Sequence, residues 1–393
     1  MAYCYISLVA DSGRTAGSRS RSARFSERTN KQQSVLLQKS LANQSLSFSP
    51  QHHHTITPQH YDTLVTGATG FIGSVLVRQL VEAGRSVRIV RRPTSRLDLL
   101  EHEGVAGDVD HATGTLDDAR SLRRAMEGVR HVYHTAGLVG PGRRAGRKEL
   151  RRVNTRGTAN VVNAALEAGV ERLAFTSSIA ALGPPAPEND DARGPLVDET
   201  ASWSRAARAP SPYAQSKRDA EREVHRGLAE GLPSAVIVNP ALVFGRGRPG
   251  EGTRRLVDAA RRGRLWVAPP GTTCVADVED VAAGHRRALR LGETGRRYLL
   301  GGDTLSWRAV FGTLAEAFGH APPRLTLPPA LLRAAGAASE ALAFVTRSAP
   351  LFSRQNARAL SARRRYTNRR ARNELGCRFR SFEATAQRLA SVL

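Results

Sequence analysis

The sequence predicts an α/β protein, with a doubly wound parallel sheet followed by a smaller C-terminal lobe. Three observations lead there. From residue 61 onward, short apolar runs alternate with stretches of helical spacing. The first run ends in closely spaced glycines, and the alternation loosens beyond Pro240. Strands alternating with helices of about 10–15 residues build βαβ units, whose parallel strands are covered on both faces and joined by right-handed crossovers.

Taken in order, "DTLVTGATG" at 62–70 reads as a short buried strand running into glycines. "FIGSVLVRQLVEAG" follows as a helix, with Ile72, Val75, Leu76, Leu80 and Val81 on one side and a stop at Gly84. "SVRIV", "HVYHTAG", "RLAFTSS" and "SAVIVNP" are further strands. Between them lie the helical stretches "ARSLRRAMEG", "NTRGTANVVNAALEAG" and "YAQSKRDAEREVHRGLAEG". Residues 61–240 are thus expected to form a dinucleotide-binding domain. Residues 241–393 are expected to form mainly a substrate-binding lobe, with segments near 275–302 returning to the sheet.

Residues 1–60 differ in kind: they are rich in Ser, Gln, Arg and His and poor in large apolar side chains. Such a stretch does not bury enough apolar surface to offset the entropy of ordering it. A targeting presequence, a disordered extension and an early start codon all fit it. No apolar run reaches the roughly 18 residues needed to span a bilayer. The three cysteines, Cys4, Cys274 and Cys377, have no metal-binding spacing, which suits a reducing cytosol and argues against a disulfide framework or a metal site. The net charge of +24 comes from arginines spread over nearly every segment, without aromatic interleaving or a nucleic-acid-binding motif. Nucleic acid is therefore not an expected partner. The richest basic cluster, "SARRRYTNRRAR" at 361–372, reads as a solvated face with helix-capping arginines.

The chemistry begins at Gly67, Gly70 and Gly73. Glycines between a strand and a helix allow a tight turn, close approach to a pyrophosphate, and a helix N-terminus aimed at the phosphates. "IVRRP" ends the second strand with Arg91 and Arg92, where an acidic residue would favour NAD. Guanidinium groups at that position suit a 2′-phosphate, so NADP is expected ahead of NAD.

Only four residues in the chain are lysines, against 55 arginines, and one is Lys217, four after Tyr213. On a helix the two share a face. A phenol titrating near about 10 is a poor acid–base catalyst at neutrality, and a neighbouring ammonium favours its phenolate. Upstream, "FTSSIAALG" ends a strand whose C-terminal end points into the ligand crevice of such a sheet, so a serine there reaches a substrate oxygen.

These stretches, with "VTGATGFIGS", "VNTRGTANVV", "YAQSK", "VIVNPALVFG" and "DVEDVAAGH", resemble the extended short-chain dehydrogenase/reductases, also called the NAD-dependent epimerase/dehydratase family. "RRPTSRLDLL", "GRRYLLGGDTLSW" and "NELGCRFR" are most similar to the dihydroflavonol 4-reductase-like and hopanoid-associated sugar epimerase branch. The resemblance covers residue 61 to the C-terminus and implies a Rossmann-type fold. It also implies an Asn-Ser-Tyr-Lys site: Tyr213 as proton donor or acceptor, and Lys217 on the nicotinamide ribose. Ser178 would hold the substrate oxygen, with Ser177 as the alternative, and Asn154 would support the lysine. Cofactor contacts would come from Gly67, Thr69, Gly70, Phe71, Ile72, Gly73, Thr115, Leu116, Ala136 and Pro240. Thr115 stands where the family usually has the Asp that binds adenine, and Gly137 where many relatives have Ala.

Three functions fit these residues. The first is hydride transfer between NADP(H) and a carbonyl/hydroxyl pair of a small hydrophobic molecule. The second is nucleotide-sugar epimerisation with retained NAD. The third is a non-catalytic dinucleotide-binding scaffold or sensor. Sugar dehydratases are disfavoured, because Ile179-Ala180 follows Ser178 in place of their Asp-Glu pair. A cytoplasmic enzyme without a transmembrane segment is expected, and a homodimer is compatible with the chain.

Overall fold

The computed structural model describes residues 61–139, 146–184, 194–203, 211–346 and 352–393. The expectations for residues 1–60 lie outside the described residues. The main sheet has seven strands: β1 (Thr63–Thr66), β2 (Val87–Arg91), β3 (Asp110–Thr113), β4 (His131–His134), β5 (Arg172–Thr176), β6 (Ala235–Pro240) and β7 (Arg297–Leu300). Their spatial order is β7-β6-β5-β4-β1-β2-β3, and every pairing is parallel. The chain order reverses between β4 and β1, so a crevice opens above their C-terminal ends, where ligands bind in sheets of this type.

Three helices position the site. Helix α1 (Phe71–Glu82) starts directly after the glycine loop, and its Val75, Leu76 and Leu80 are buried against the sheet. Helix α2 (Pro212–Ala229) begins where the sequence supplies a cap and a stop: the Ser211 hydroxyl accepts from the Ala214 N–H, and Pro212 takes the first turn. That start puts Tyr213 and Lys217 in the first two turns. Helix α3 (Val278–Leu291) is capped by Asp277, whose carboxylate accepts from the Glu279 N–H. Arg78 ties α1 to α3 by bonding Glu279 at 2.5 Å and Glu103 at 2.7 Å.

Each sheet face has its own core. One face packs under α1 and α3 around Leu76, Ile89, Val281 and Tyr298. The other lies under α2 and two further helices, Ala119–Met126 and Gly157–Glu167, around Leu122, Phe175 and Val224. A third cluster, with Phe244, Trp307, Phe311, Phe352 and Phe382, belongs to the C-terminal part. There a three-stranded sheet (Leu242–Phe244, Thr272–Asp277, Thr304–Ser306) meets the helices Trp307–Ala317 and Phe382–Val392. The chain returns to the main sheet through α3 and β7, which pairs with β6. The basic stretch at 361–372 supplies a short strand, Arg365–Tyr366, paired with Leu196–Val197. Arg370 Nη1 donates to the Arg297 carbonyl. No helix among the described residues is long and apolar enough to cross a membrane.

Candidate active site

The glycine loop fits a dinucleotide on its own geometry. Gly67 has φ +75°, and a methyl group there would lie 2.5 Å from the Ala136 nitrogen. A methyl at Gly73 would overlap the Gly67 carbonyl, so α1 approaches β1 as only glycine permits. Gly70 caps α1 without a side chain, which leaves the first N–H groups of the helix, from Phe71 and Ile72 on, for an anion. Thr69 sits beneath a residue that sequence reasoning missed: Arg248 donates to the Thr69 carbonyl at 2.9 Å and holds Asp98 through Nε and Nη2. Arg248 thereby pulls the Asp98 carboxyl below its ordinary range.

Arg91 ends β2 with its Nε on His111 Nδ1 at 2.9 Å. Arg92 is exposed, and its guanidinium has no partner among the described residues. Thr115 and Leu116 follow β3. The Thr115 N–H donates to Ser121 Oγ, and Leu116 packs on Gly157 while its carbonyl accepts from Asn160. Asp108 precedes β3 and so lies at the opposite end of that strand from Thr115.

Tyr213, Lys217, Ser178, Asn154, Ala136 and Pro240 all lie on segments at the C-terminal ends of β4, β5 and β6. Ser178 is extended (φ −167°, ψ 153°); its hydroxyl accepts from the Ala180 N–H and lies near enough to the Tyr213 phenol to favour its phenolate. Ser177, one residue earlier, points the other way and donates to Glu221 Oε1 at 2.5 Å. Of the two serines left open by the sequence, Ser178 is the one that faces Tyr213.

Lys217 is buried and donates to the Thr176 carbonyl at 2.8 Å, with its ammonium 5.1 Å from the centre of the Phe175 ring. Burial lowers it to about 8, and Glu221, one turn further along α2, raises it. The Tyr213 phenol is pushed up by burial and pulled down by Ser178. The Lys217 ammonium is bonded to the Thr176 carbonyl and does not hydrogen-bond the phenol. Asn154 lies in a π-helical turn, Arg151–Arg156, a form frequent at functional sites. Its amide clamps the Leu138 backbone, accepting from N–H at 2.7 Å and donating to the carbonyl at 3.0 Å, and also donates to Ser216 on α2.

Buried polar networks hold this arrangement, and the motifs did not reveal them. Glu221 accepts from Ser177 and from Asn239 Nδ2, and pairs with Arg297 at 2.9 Å. Asn239 Nδ2 also donates to the Ser178 carbonyl, so one carboxylate fixes both serines. The signal was present: Tyr213, Lys217 and Glu221 recur at four-residue spacing. The Thr176 hydroxyl meets His285 Nε2 at 2.8 Å, while His285 Nδ1 donates to the Val281 carbonyl. On β4, His134 Nδ1 meets Thr66 Oγ1 and its Nε2 meets Thr158 Oγ1. Since Thr158 donates its own proton to the Asn154 carbonyl, His134 carries its hydrogen on Nε2. Burial depresses His134 to about 3 and His285 to about 4, so both are neutral. No cluster of three metal-ligating side chains occurs among the described residues.

Comparison with known proteins agrees with this geometry. The model of the NAD dependent epimerase/dehydratase family matches residues 63–301. Sterol demethylase protein B of Methylococcus capsulatus is 36% identical over 319 residues, spanning 80% of this chain and 92% of that protein. A dihydroflavonol 4-reductase-like protein of Synechocystis is 34% identical over 270 residues, 67% of this chain and 74% of its own. The crystal structure of gox2253 superposes with a TM-score of 0.70 at 32% identity, covering 84% of this chain and 97% of that one. With its glycine loop and Ser-Tyr-Lys end of the sheet, the chain belongs to the NAD-dependent epimerase/dehydratase family of extended short-chain dehydrogenase/reductases, and is an NAD(P)-dependent enzyme.

Proposed function

We propose that the protein transfers hydride between NADP(H) and a carbonyl/hydroxyl pair on a hydrophobic small molecule of sterol-like or phenolic type. The observation that carries this reading is the Ser178–Tyr213 hydroxyl pair, set beside a buried Lys217 at the crevice end of the sheet. The substrate class follows the relatives, whose names point to sterol and dihydroflavonol chemistry.

Bound NADP(H) supplies or accepts the hydride. Ser178 and Tyr213 converge on one substrate oxygen. Burial keeps the Tyr213 proton in place at neutral pH, so the phenol donates it as a carbonyl oxygen gains charge. Lys217 spends one N–H on Thr176, which leaves others to hold the ribose hydroxyls. Its ammonium favours the phenolate once the two groups turn towards the same ligand. Asn154 anchors α2 to the Leu138 backbone, fixing both residues against the nicotinamide side of the crevice. Arg91 and Arg92 take the 2′-phosphate, with Arg92 the less committed of the two.

Tyr213→Phe tests the acid role: NADPH affinity should stay within about threefold while turnover falls about 10³-fold. Turnover that survives the change removes Tyr213 from the chemistry. Replacing Arg91 and Arg92 by Ala should weaken NADPH far more than NADH, and equal losses overturn the 2′-phosphate assignment. The cofactor extracted from the purified protein separates the alternative: NAD held tightly through gel filtration marks an epimerase and rejects the reductase reading.

A further inference from the structure

At the opposite end of the sheet, below the N-terminal ends of β4 and β5, lies a cavity of about 430 Å³ that the proposed chemistry does not use. Its polar lining is almost entirely cationic: Arg85, Arg172 and, from α3, Arg286, Arg287 and Arg290. His131 and Tyr133 on β4 complete it, and no carboxylate lines it.

Part of this positive charge is structural. Arg85 pairs with Asp62 at 2.8 Å, Arg172 donates to the Leu289 and Arg290 carbonyls, and Arg287 donates to the Leu375 carbonyl. Carbonyl partners leave the guanidinium charge uncompensated. Among the described residues, the carboxylates in contact with the cluster are Asp62, on Arg85, and Glu171, 4.0 Å from His131. Arg286 and Arg290 have no side-chain hydrogen bond or ion pair among the described residues. His131 Nδ1 takes a guanidinium hydrogen of Arg85, which leaves its Nε2–H as a donor, and burial keeps the Tyr133 hydroxyl protonated. Leu80, Ala83, Ala283 and Leu289 make most of the wall apolar, and into it Arg286 and Arg290 bring forked guanidiniums that can bind two oxygens each, which suits a multiply charged oxyanion.

We propose that this basal cavity is a binding site for a phosphate-type anion, on the scale of a diphosphate, separate from the cofactor crevice. The inference does not depend on the hydride-transfer reading. Its test uses the full-length protein saturated with NADPH, which blocks the phosphate sites of the crevice, titrated calorimetrically with inorganic pyrophosphate. One saturable site is expected, with affinity falling at least tenfold in the double variant Arg286→Ser/Arg290→Ser while NADPH binding is unchanged. Arg91→Ala/Arg92→Ala should leave pyrophosphate binding intact. If the double variant fails to bind NADPH, Arg286→Ser alone makes the same comparison. A parallel arm with vesicles containing phosphatidate distinguishes the source: solution binding points to a free diphosphate, and capture on vesicles alone points to a lipid headgroup. Saturable binding to neither probe, or binding unaffected by loss of Arg286 and Arg290, overturns the proposal.

Discussion

The two ends of the seven-stranded sheet handle positive charge in opposite ways. At the C-terminal end a single ammonium, Lys217, is buried, held by one carbonyl and lowered to about 8. At the N-terminal end several guanidiniums crowd one cavity, with Arg287 and Arg290 exposed and few carboxylates in reach. Burial makes the difference. A charge removed from water is sensitive to every neighbour, so one lysine and its partners can be tuned, whereas solvated arginines interact weakly with each other and with the fold. Composition shows the same division: a chain with 55 arginines keeps a lysine where a compact charge must sit inside.

The sharpest way to break this contrast is Glu221→Gln. Glu221 is 1% exposed and has Ser177, Asn239 and Arg297 as partners. Removing one member of a buried pair costs on the order of 3–5 kcal/mol. Because the Arg297 side chain is 23% exposed and water can screen it, a loss near about 3 kcal/mol is expected. At the other end, Arg290→Ser should change stability by no more than about 0.5 kcal/mol. Urea unfolding of both variants gives the comparison. Similar losses for the two would show that burial is not what separates the ends.

A second test uses pH. His134 and His285 are held neutral at about 3 and about 4, below the ordinary 6.5 of the unfolded chain. Below 6.5 the unfolded state therefore binds more protons than the folded one. Stability is full above that value and declines as pH falls towards 4, by up to about 1.4 kcal/mol per pH unit for each histidine. Between pH 6.5 and 5 few carboxylates titrate, so unfolding free energies measured there report these two histidines together with His131, which burial also lowers. His285→Gln should make the slope shallower without abolishing it. A flat profile in the unmodified protein would mean that these imidazoles accept protons in place.

What the sequence revealed follows from how local each signal is. The glycine loop is a strand, a turn and a helix start within ten residues, and Tyr213 with Lys217 is one turn of helix, so both were legible from spacing alone. The choice between Ser177 and Ser178 was not. Adjacent residues on an extended segment face opposite sides, and which side meets α2 depends on the tertiary register. The network from Thr66 through His134 to Thr158 joins residues 68 and 24 positions apart, and the Thr176–His285 contact spans 109. Such contacts exist only once the strands are ordered 4-1 and 5-6 with α3 laid over them. The aim of Lys217 was not legible for a related reason: four-residue spacing places the ammonium on the face of Tyr213, but the Thr176 carbonyl decides where it is aimed.

The smallest predicted effect probes that last point. Gly137 lies against Lys217: a methyl there would sit 2.9 Å from Lys217 Nζ and 3.3 Å from Asn154 Oδ1. The nearer atom is the tip of a flexible side chain, so the crowding can be relieved by a movement of a few tenths of an ångström. Alanine also reduces the freedom of the unfolded chain, a gain of about 0.4–1 kcal/mol where the backbone tolerates it. Gly137→Ala should therefore leave stability within about 1 kcal/mol of the original. The displaced ammonium would lose part of its bond to Thr176 and turn towards the crevice, nearer Tyr213. A downward move of the kinetic pKa assigned to Tyr213, at unchanged stability, is the expected reading of a pH–rate profile. A large stability loss with an unmoved profile would mean that Lys217 is wedged in place by packing, and that the carbonyl does not set its aim.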